Sequence, residues 1–426
     1  MKRAAVERAA VEPTLRERAP LPRASGRAPR RERAALECRA QGFSLVELMV
    51  AVTLALVVTA GVIAVFVSSR NAYQATSGVA AVSDGGRLAV NLIGQDVRNA
   101  GYIACSETIY PWWSNTAADS LIEIDQLNGA AGSLGYDFQH GIGGYEARGT
   151  GPAGSLTLSA SPAVDDTSSD WTPALDPTFT SNALVPPPTQ VYGSDILVLR
   201  SSLQATPAYL TANIVPGSTS MTVNAIAGLQ SGQIAAVSDC TKAVVFQIGP
   251  APAGTPGLVN VVLAGGPGSP GNIVGANIPL PFQQGSLVTP LTTTIYYIGK
   301  GSDGDSALKR LTLNAPNAAA PGAFMDQEVV PDIENMQVLY GVTAAGSGSY
   351  APTQYLTADQ VAATSDFRLV VSVKVALLAA SPPGAAAGPV VSHPPYFLLG
   401  TAVTAPADNR QRQVYEVTFA VRNQMP

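Results

Sequence analysis

Side chains able to do acid–base, nucleophilic or metal chemistry are few in this 426-residue chain. Histidine occurs only at His140 and His393, too few for an imidazole cluster, and His393 stands in a loop before Pro394-Pro395. The cysteines, Cys38, Cys105 and Cys240, show no C-x-x-C spacing and no neighbouring histidine, so neither an activated thiol nor a zinc set is indicated. "GSDGDSA", Gly301–Ala307, spaces its acids like part of a calcium loop but lacks the closing glutamate, and reads as a solvated turn. Asp165-Asp166 reads as loop charge. No G-x-S-x-G, P-loop or H-E-x-x-H occurs. These residues predict no catalytic group, no metal ligand set and no cofactor, and hence no enzyme. Glu47 is different: from Phe43 to Val67 it is the only ionisable side chain.

A run of that length, as a helix, spans about 37 Å at about 1.5 Å per residue. That covers a hydrocarbon core of about 30 Å. The preceding residues 1–42 hold 11 Lys/Arg and 5 Asp/Glu, while the remainder carries a net charge of −11. Arg30, Arg31, Arg33 and Arg39 therefore predict a cytoplasmic N-terminus and an exported body. An acidic body also argues against a nucleic-acid partner. As a secretory signal the run is too long, and no A-x-A site closes it. As a plain anchor it leaves Glu47 unexplained, at a cost of ~1–3 kcal/mol that shrinks near the interface.

Gly42-Phe43-Ser44-Leu45-Val46-Glu47-Leu48 resembles the processing site of type IV prepilins and pseudopilins. The resemblance implies cleavage between Gly42 and Phe43 by a membrane-embedded prepilin peptidase, N-methylation of Phe43, and Glu47 as the fifth residue of the mature chain. It also implies that Glu47 pairs with the N-terminal amine of an adjacent subunit. The physics is consistent, since a carboxylate buried among packed helices needs a cation. Residues 1–42 are longer than the family's usual leader, which fits either an extended leader or a later start of translation. Pro13, Pro20, Pro22 and Pro29 argue against a stable fold there, and Cys38 would be discarded with it.

Past Arg70 a helical stripe continues through Val82, Ala89, Ile93 and Val97, with Leu92 beside it, and "NAGY", Asn99–Tyr102, reads as its stop. Gly78, Gly85, Gly86 and Gly94 each weaken a helix, which predicts a soft or broken segment near Asp84–Gly86. Beyond Gly101 come short β-rich runs between Gly/Pro/Ser/Asn clusters: "DILVLR", "AVVFQI", "TTIYYIG", "LKRLTL", "NMQVLYGV", "FRLVVSVKVALLA" and "QVYEVTFAVRN". The last two alternate as half-buried antiparallel strands do. Residues 111–190 read as a variable, loop-rich insertion suited to partner specificity. Trp112 and Trp113 in it are expected to lie under the head.

Several runs resemble the PilW family of minor pilins in order: "GRLAVNLIGQDVRNAGYIAC", "VSDCTKAVVFQI", "YYIG…LKRLTL", "VVPDIENMQVLYGV" and "YEVTFAVRNQMP". The implied fold is α+β, the type IV pilin fold: a long N-terminal helix, half transmembrane and half amphipathic, on a large antiparallel β-rich head. The expected segments are a leader at 1–42, a transmembrane helix at 43–67, its amphipathic half at 68–100 and the head at 101–426. Cys105 and Cys240 fall in the exported part, where a disulfide can persist; two buried thiols are the alternative.

The resemblance implies a minor pilin that initiates or caps the fibre. The head, at roughly 320 residues, suits a tip or priming position better than a repeating shaft. Its partners would be other minor pilins, the major pilin, prepilin peptidase, the inner-membrane assembly machinery and the lipid bilayer. Its place is the bacterial inner membrane, with the head periplasmic or carried out on the pilus. Rival readings are a minor pseudopilin of type II secretion, sharing the helix and machinery, and a tip adhesin using residues 111–190.

Overall fold

The computed structural model describes residues 44–103, 123–129, 133–165, 167–176, 189–203, 208–224, 229–239, 241–250, 257–260, 270–313, 323–345, 351–364, 366–384 and 390–424. The chain divides into two units, Met1–Ile63 and Ala64–Pro426.

Helix α1 runs without interruption from Leu45 to Asn99. Over its first part the side chains from Ser44 to Tyr73 are all exposed, and an 18-residue window reaches a mean hydropathy of 2.8. The few polar groups in the apolar run are satisfied within the helix. Thr53 Oγ1 donates to Val50 O at 2.9 Å and Thr59 Oγ1 to Ala55 O at 2.7 Å, as lipid, which offers no hydrogen-bond partner, requires. Within the second unit the buried face of α1 is Gly78, Val82, Gly86, Ala89, Ile93, Gly94 and Val97. The predicted stripe is therefore present, with glycines added to it.

The expected break near Asp84–Gly86 is absent. A Cβ on Gly86 would lie 2.1 Å from Tyr415 Cε2, and one on Gly94 2.5 Å from Phe419 Cε1. These glycines let two aromatic rings meet the helix backbone, and that packing outweighs their weak helix propensity. The helix stops where the sequence indicates. Gly101 takes φ +79° and donates to Arg200 O at 2.8 Å, while Asn423 Nδ2 donates to Arg98 O and Ala100 O. The last turn's carbonyls thus find partners.

The principal strands of the head are β1 (Ile142–Ala147), β2 (Ile196–Ser202), β3 (Ile234–Ser238), β4 (Ala243–Gln247), β5 (Leu287–Lys300), β6 (Ser306–Leu313), β7 (Phe324–Pro331), β8 (Ile333–Val342), β9 (Val370–Ala380) and β10 (Arg412–Ala420). Among the described residues the larger sheet has ten strands, with β4, β3, β5, β2 and β1 neighbours in that order and β6 and β7 added beside β5. The second sheet orders Gln354–Leu356, β8, β9 and β10. Pairing is antiparallel apart from two short contacts, Glu123–Asp125 with β4 and Thr401–Thr404 with Ser155–Thr157. A short helix, α2 (Ala358–Thr364), precedes β9.

One core joins the α1 stripe to Ile142, Leu197, Tyr296 and Leu308 of the larger sheet and to Met336, Val375 and Phe419 of the smaller. β10 is half-buried as its alternation predicts, but β9 is buried along nearly its whole length. The reason is cover on both faces: α1 lies on one, and Leu398 and Val403 pack against Ala376 and Leu378 on the other. Phe367–Leu369, read from the sequence as strand, forms a 3-10 turn capped by Asp366, whose side chain accepts from Arg368 N. Within 111–190 the described residues supply β1 and the buried Phe138, Trp171 and Leu175, as well as loops.

Candidate assembly site

The first turn of α1 is built by two residues. Ser44 Oγ accepts from Glu47 N at 3.1 Å and Ser44 O accepts from Leu48 N at 3.1 Å, so Ser44 is the N-cap and Glu47 sits three residues on. That is the S-x-x-E spacing of a capping box, and a carboxylate in a first turn also meets the positive end of the helix dipole. This local role for Glu47 was readable from "SLVE" yet is absent from the sequence reading above. The Glu47 side chain is exposed, and among the described residues no cation lies within ion-pair distance of it. What the geometry offers is a capped helix start carrying one accessible negative charge at the head of an apolar surface.

Gly42 and Phe43, the expected processing pair, lie outside the described residues, as do Cys38, Cys105, Cys240, Asp166, Trp112 and Trp113.

Elsewhere the titratable groups hold the head together. His140 Nδ1 lies 2.9 Å from Asp137 Oδ2, and its Nε2 lies 3.4 Å from Asp366 Oδ1. Desolvation opposes the charged ring, but the hydrogen bonds and charges of Asp137 and Asp366 prevail and raise it to about 9. His393 Nε2 lies 3.1 Å from Asp408, which also takes Arg412 at 2.6 Å. Desolvation pushes Asp408 up, yet Arg412 and the backbone N–H of Arg410 bring it down to about 2. Arg412, with a side chain 0% exposed, also pairs with Glu334 at 2.6 Å, and Arg410 reaches Asp332 at 2.5 Å. This network fastens β10 to the start of β8; its long-range partners left no pattern in the sequence.

Asp195, the first residue of "DILVLR", is buried and accepts from Ala147 N at 3.0 Å and Val338 N at 2.8 Å, linking the two sheets. Burial first, and then the charge of Asp195, pushes the neighbouring Glu146 carboxyl up. In the Gly301–Ala307 turn Asp303 Oδ1 accepts from Asp305 N, and one oxygen each of Asp303, Asp305 and Asp332 lie within 4.8 Å of one another. The Arg410 guanidinium, 3.5 Å from Asp305 and 2.5 Å from Asp332, already supplies positive charge there. Asp165 Oδ1 caps its own loop by accepting from Thr167 N at 2.9 Å.

Two family profiles match the chain. One, described as Type IV Pilus-assembly protein W, covers residues 295–423, which span β5 to β10. The other, the prokaryotic N-terminal methylation motif, covers residues 38–63 and so includes Gly42, Phe43 and Glu47. Comparison with curated proteins finds no match. Among solved structures a type IV-like pilin from Thermus thermophilus is 15% identical, over 46% of this chain and 87% of that one, with a TM-score of 0.19.

Proposed function

Since this chain is a PilW-family minor pilin of the type IV pilus, anchored by an N-terminal apolar helix, we propose that Glu47 is the residue through which it joins other pilins. In this reading prepilin peptidase cuts between Gly42 and Phe43, Phe43 is N-methylated, and the helix stays in the inner membrane with its head periplasmic. The protein is structural, without catalytic activity. It initiates or caps the fibre with other minor pilins and the major pilin, and its large head favours the tip.

The observation that carries the reading is the exposed, cation-free carboxylate of Glu47 in the first turn of a helix otherwise apolar through Val67. A membrane anchor alone would be more stable in lipid without it. A neighbour's N-terminal amine is a cation delivered to the same depth by the same processing event. Removing the carboxylate leaves that amine buried without a partner, at a cost on the order of several kcal/mol, less where the amine can reach the interface.

The test compares wild type with Glu47→Val, Glu47→Gln and Ser44→Ala in detergent pull-downs of minor pilins, with N-terminal sequencing of each. All should be membrane-bound, and wild type should begin at N-methylated Phe43. Both Glu47 variants should be cleaved yet lose partners and surface pili, while Ser44→Ala, which weakens the cap but keeps the charge, should retain them. Glutamine can still serve a capping box. Wild-type recovery of partners by Glu47→Gln would therefore show that the charge is not what binds.

A further inference from the structure

Within the head, a cleft of about 670 Å³ opens between the last turn of α1 and the β5–β6–β7 part of the larger sheet. Its volume is that of a small-molecule site, typically about 300–1,000 Å³. Its charge runs against the rest of the exported chain, which is acidic: three guanidiniums, Arg98, Arg310 and Arg422, face a single carboxylate, Asp96. That carboxylate is already engaged, because Tyr296 Oη donates to it at 2.7 Å.

The arginines are not neutralised from within. Arg98 lies over the Phe419 ring, 5.6 Å from its centroid, rather than on an acid. Arg310 Nη2 donates to the neutral Gln327 Oε1 at 3.2 Å, and among the described residues Arg310 has no carboxylate in ion-pair range. Two buried atoms at this wall have no hydrogen-bond partner: Arg310 Nε and Thr312 Oγ1. They sit two residues apart on β6 and so share a face of the strand. Buried polar atoms are nearly always paired, and leaving both unmade is unfavourable unless something that can accept and donate enters the cleft.

We propose that this cleft binds an acidic sugar, its carboxylate held by Arg310 and its ring hydroxyls by Thr312 and Gln327. A guanidinium fork matches a planar carboxylate in two parallel hydrogen bonds. Hydroxyl and amide groups, which both donate and accept, match a polyol. A bare oxyanion would fill little of the volume and would leave most of that wall unused. Arg98 and Arg422, both exposed at the rim, add attraction for a negative ligand that weakens with salt. The site is independent of the helix start and of the pilin reading.

The experiment is isothermal titration of the full chain in detergent with trigalacturonate, its uncharged methyl ester and inorganic phosphate. Trigalacturonate should bind saturably, about tenfold or more tightly than the ester, and more weakly as salt rises. Arg310→Gln should lose that preference with thermal unfolding unchanged; should it fail to fold, Arg422→Gln at the rim should weaken binding severalfold without touching the core. Absence of saturable binding overturns the proposal. So do equal affinity for the ester, displacement by phosphate at the concentration of the sugar, or unaltered affinity in both arginine variants.

Discussion

Adjacent glycines in α1 should respond oppositely to the same substitution. A Cβ on Gly85 would meet only Val330 Cγ1 at 3.6 Å, an ordinary contact, so Gly85→Ala should gain most of the ~1 kcal/mol by which alanine exceeds glycine in a helix. A Cβ on Gly86 would lie 2.1, 2.4 and 2.5 Å from three atoms of the Tyr415 ring. The ring must retreat by roughly 1 Å or more to restore contact distances near 3.5 Å. Tyr415 is not free to do so cheaply. It belongs to β10, paired residue by residue with β9, and its hydroxyl donates to Val82 O and lies 3.0 Å from Gln413 Oε1. Overpacking of this kind costs about 1–3 kcal/mol, which exceeds the propensity gain. Gly86→Ala should therefore lower the denaturant midpoint of the full chain in detergent, and Gly85→Ala should raise it slightly. In a double-mutant cycle with Tyr415→Leu, the cost of Gly86→Ala should largely vanish, because the coupled partner is gone. Equal midpoints for Gly85→Ala and Gly86→Ala, or a Gly86 cost that survives loss of the ring, would refute the steric account.

His140 should make stability fall with rising pH. Its folded value of about 9 exceeds the ordinary 6.5, so its contribution is complete below about pH 6.5 and disappears as pH rises through 9. Subtracting the denaturant midpoints of His140→Gln from those of wild type at pH 6, 7.5 and 9.5 should give a difference that shrinks across that window; a constant difference would contradict it. Cys105 and Cys240 should be linked in exported protein, closing a long loop whose cross-link is worth roughly 4–5 kcal/mol in the chain-entropy model. Non-reducing peptide mapping should recover the joined peptides, and two alkylatable thiols would refute the bond.

How far the sequence could be read depended on whether a signal was local. The apolar run, the stripe from Val82 to Val97 and the stop at Asn99–Tyr102 are set by neighbours in sequence, and α1 has them all. The strands from "DILVLR" to "QVYEVTFAVRN" were legible for the same reason. The glycines were misread because a propensity scale counts them as missing stability. The space at Gly86 and Gly94 has a use only once Tyr415 and Phe419, more than three hundred residues later, are seen against the helix. The burial of β9 was hidden likewise: its second cover, Leu398 and Val403, comes from a separate hairpin. Arg310 and Thr312 read as the outward side of an ordinary strand, and no spacing rule places Arg98 and Arg422 beside them.

The first turn of α1 shows why a charge can persist in a membrane helix at this position and hardly elsewhere along it. At mid-run an ionised carboxylate would face lipid with no donor, since each helical N–H is already bonded four residues back. Within the first turn several N–H groups are unspent, the dipole is positive, and the interface is near. Glu47 thus occupies one of the few places where its cost is small before any partner arrives. That makes a monomer waiting in the membrane tolerable, while any cation brought to the same depth gains a partner in a medium of low dielectric. A carboxylate moved one or two turns inward would lose the first advantage; one moved out to residues 1–42 would lose the second.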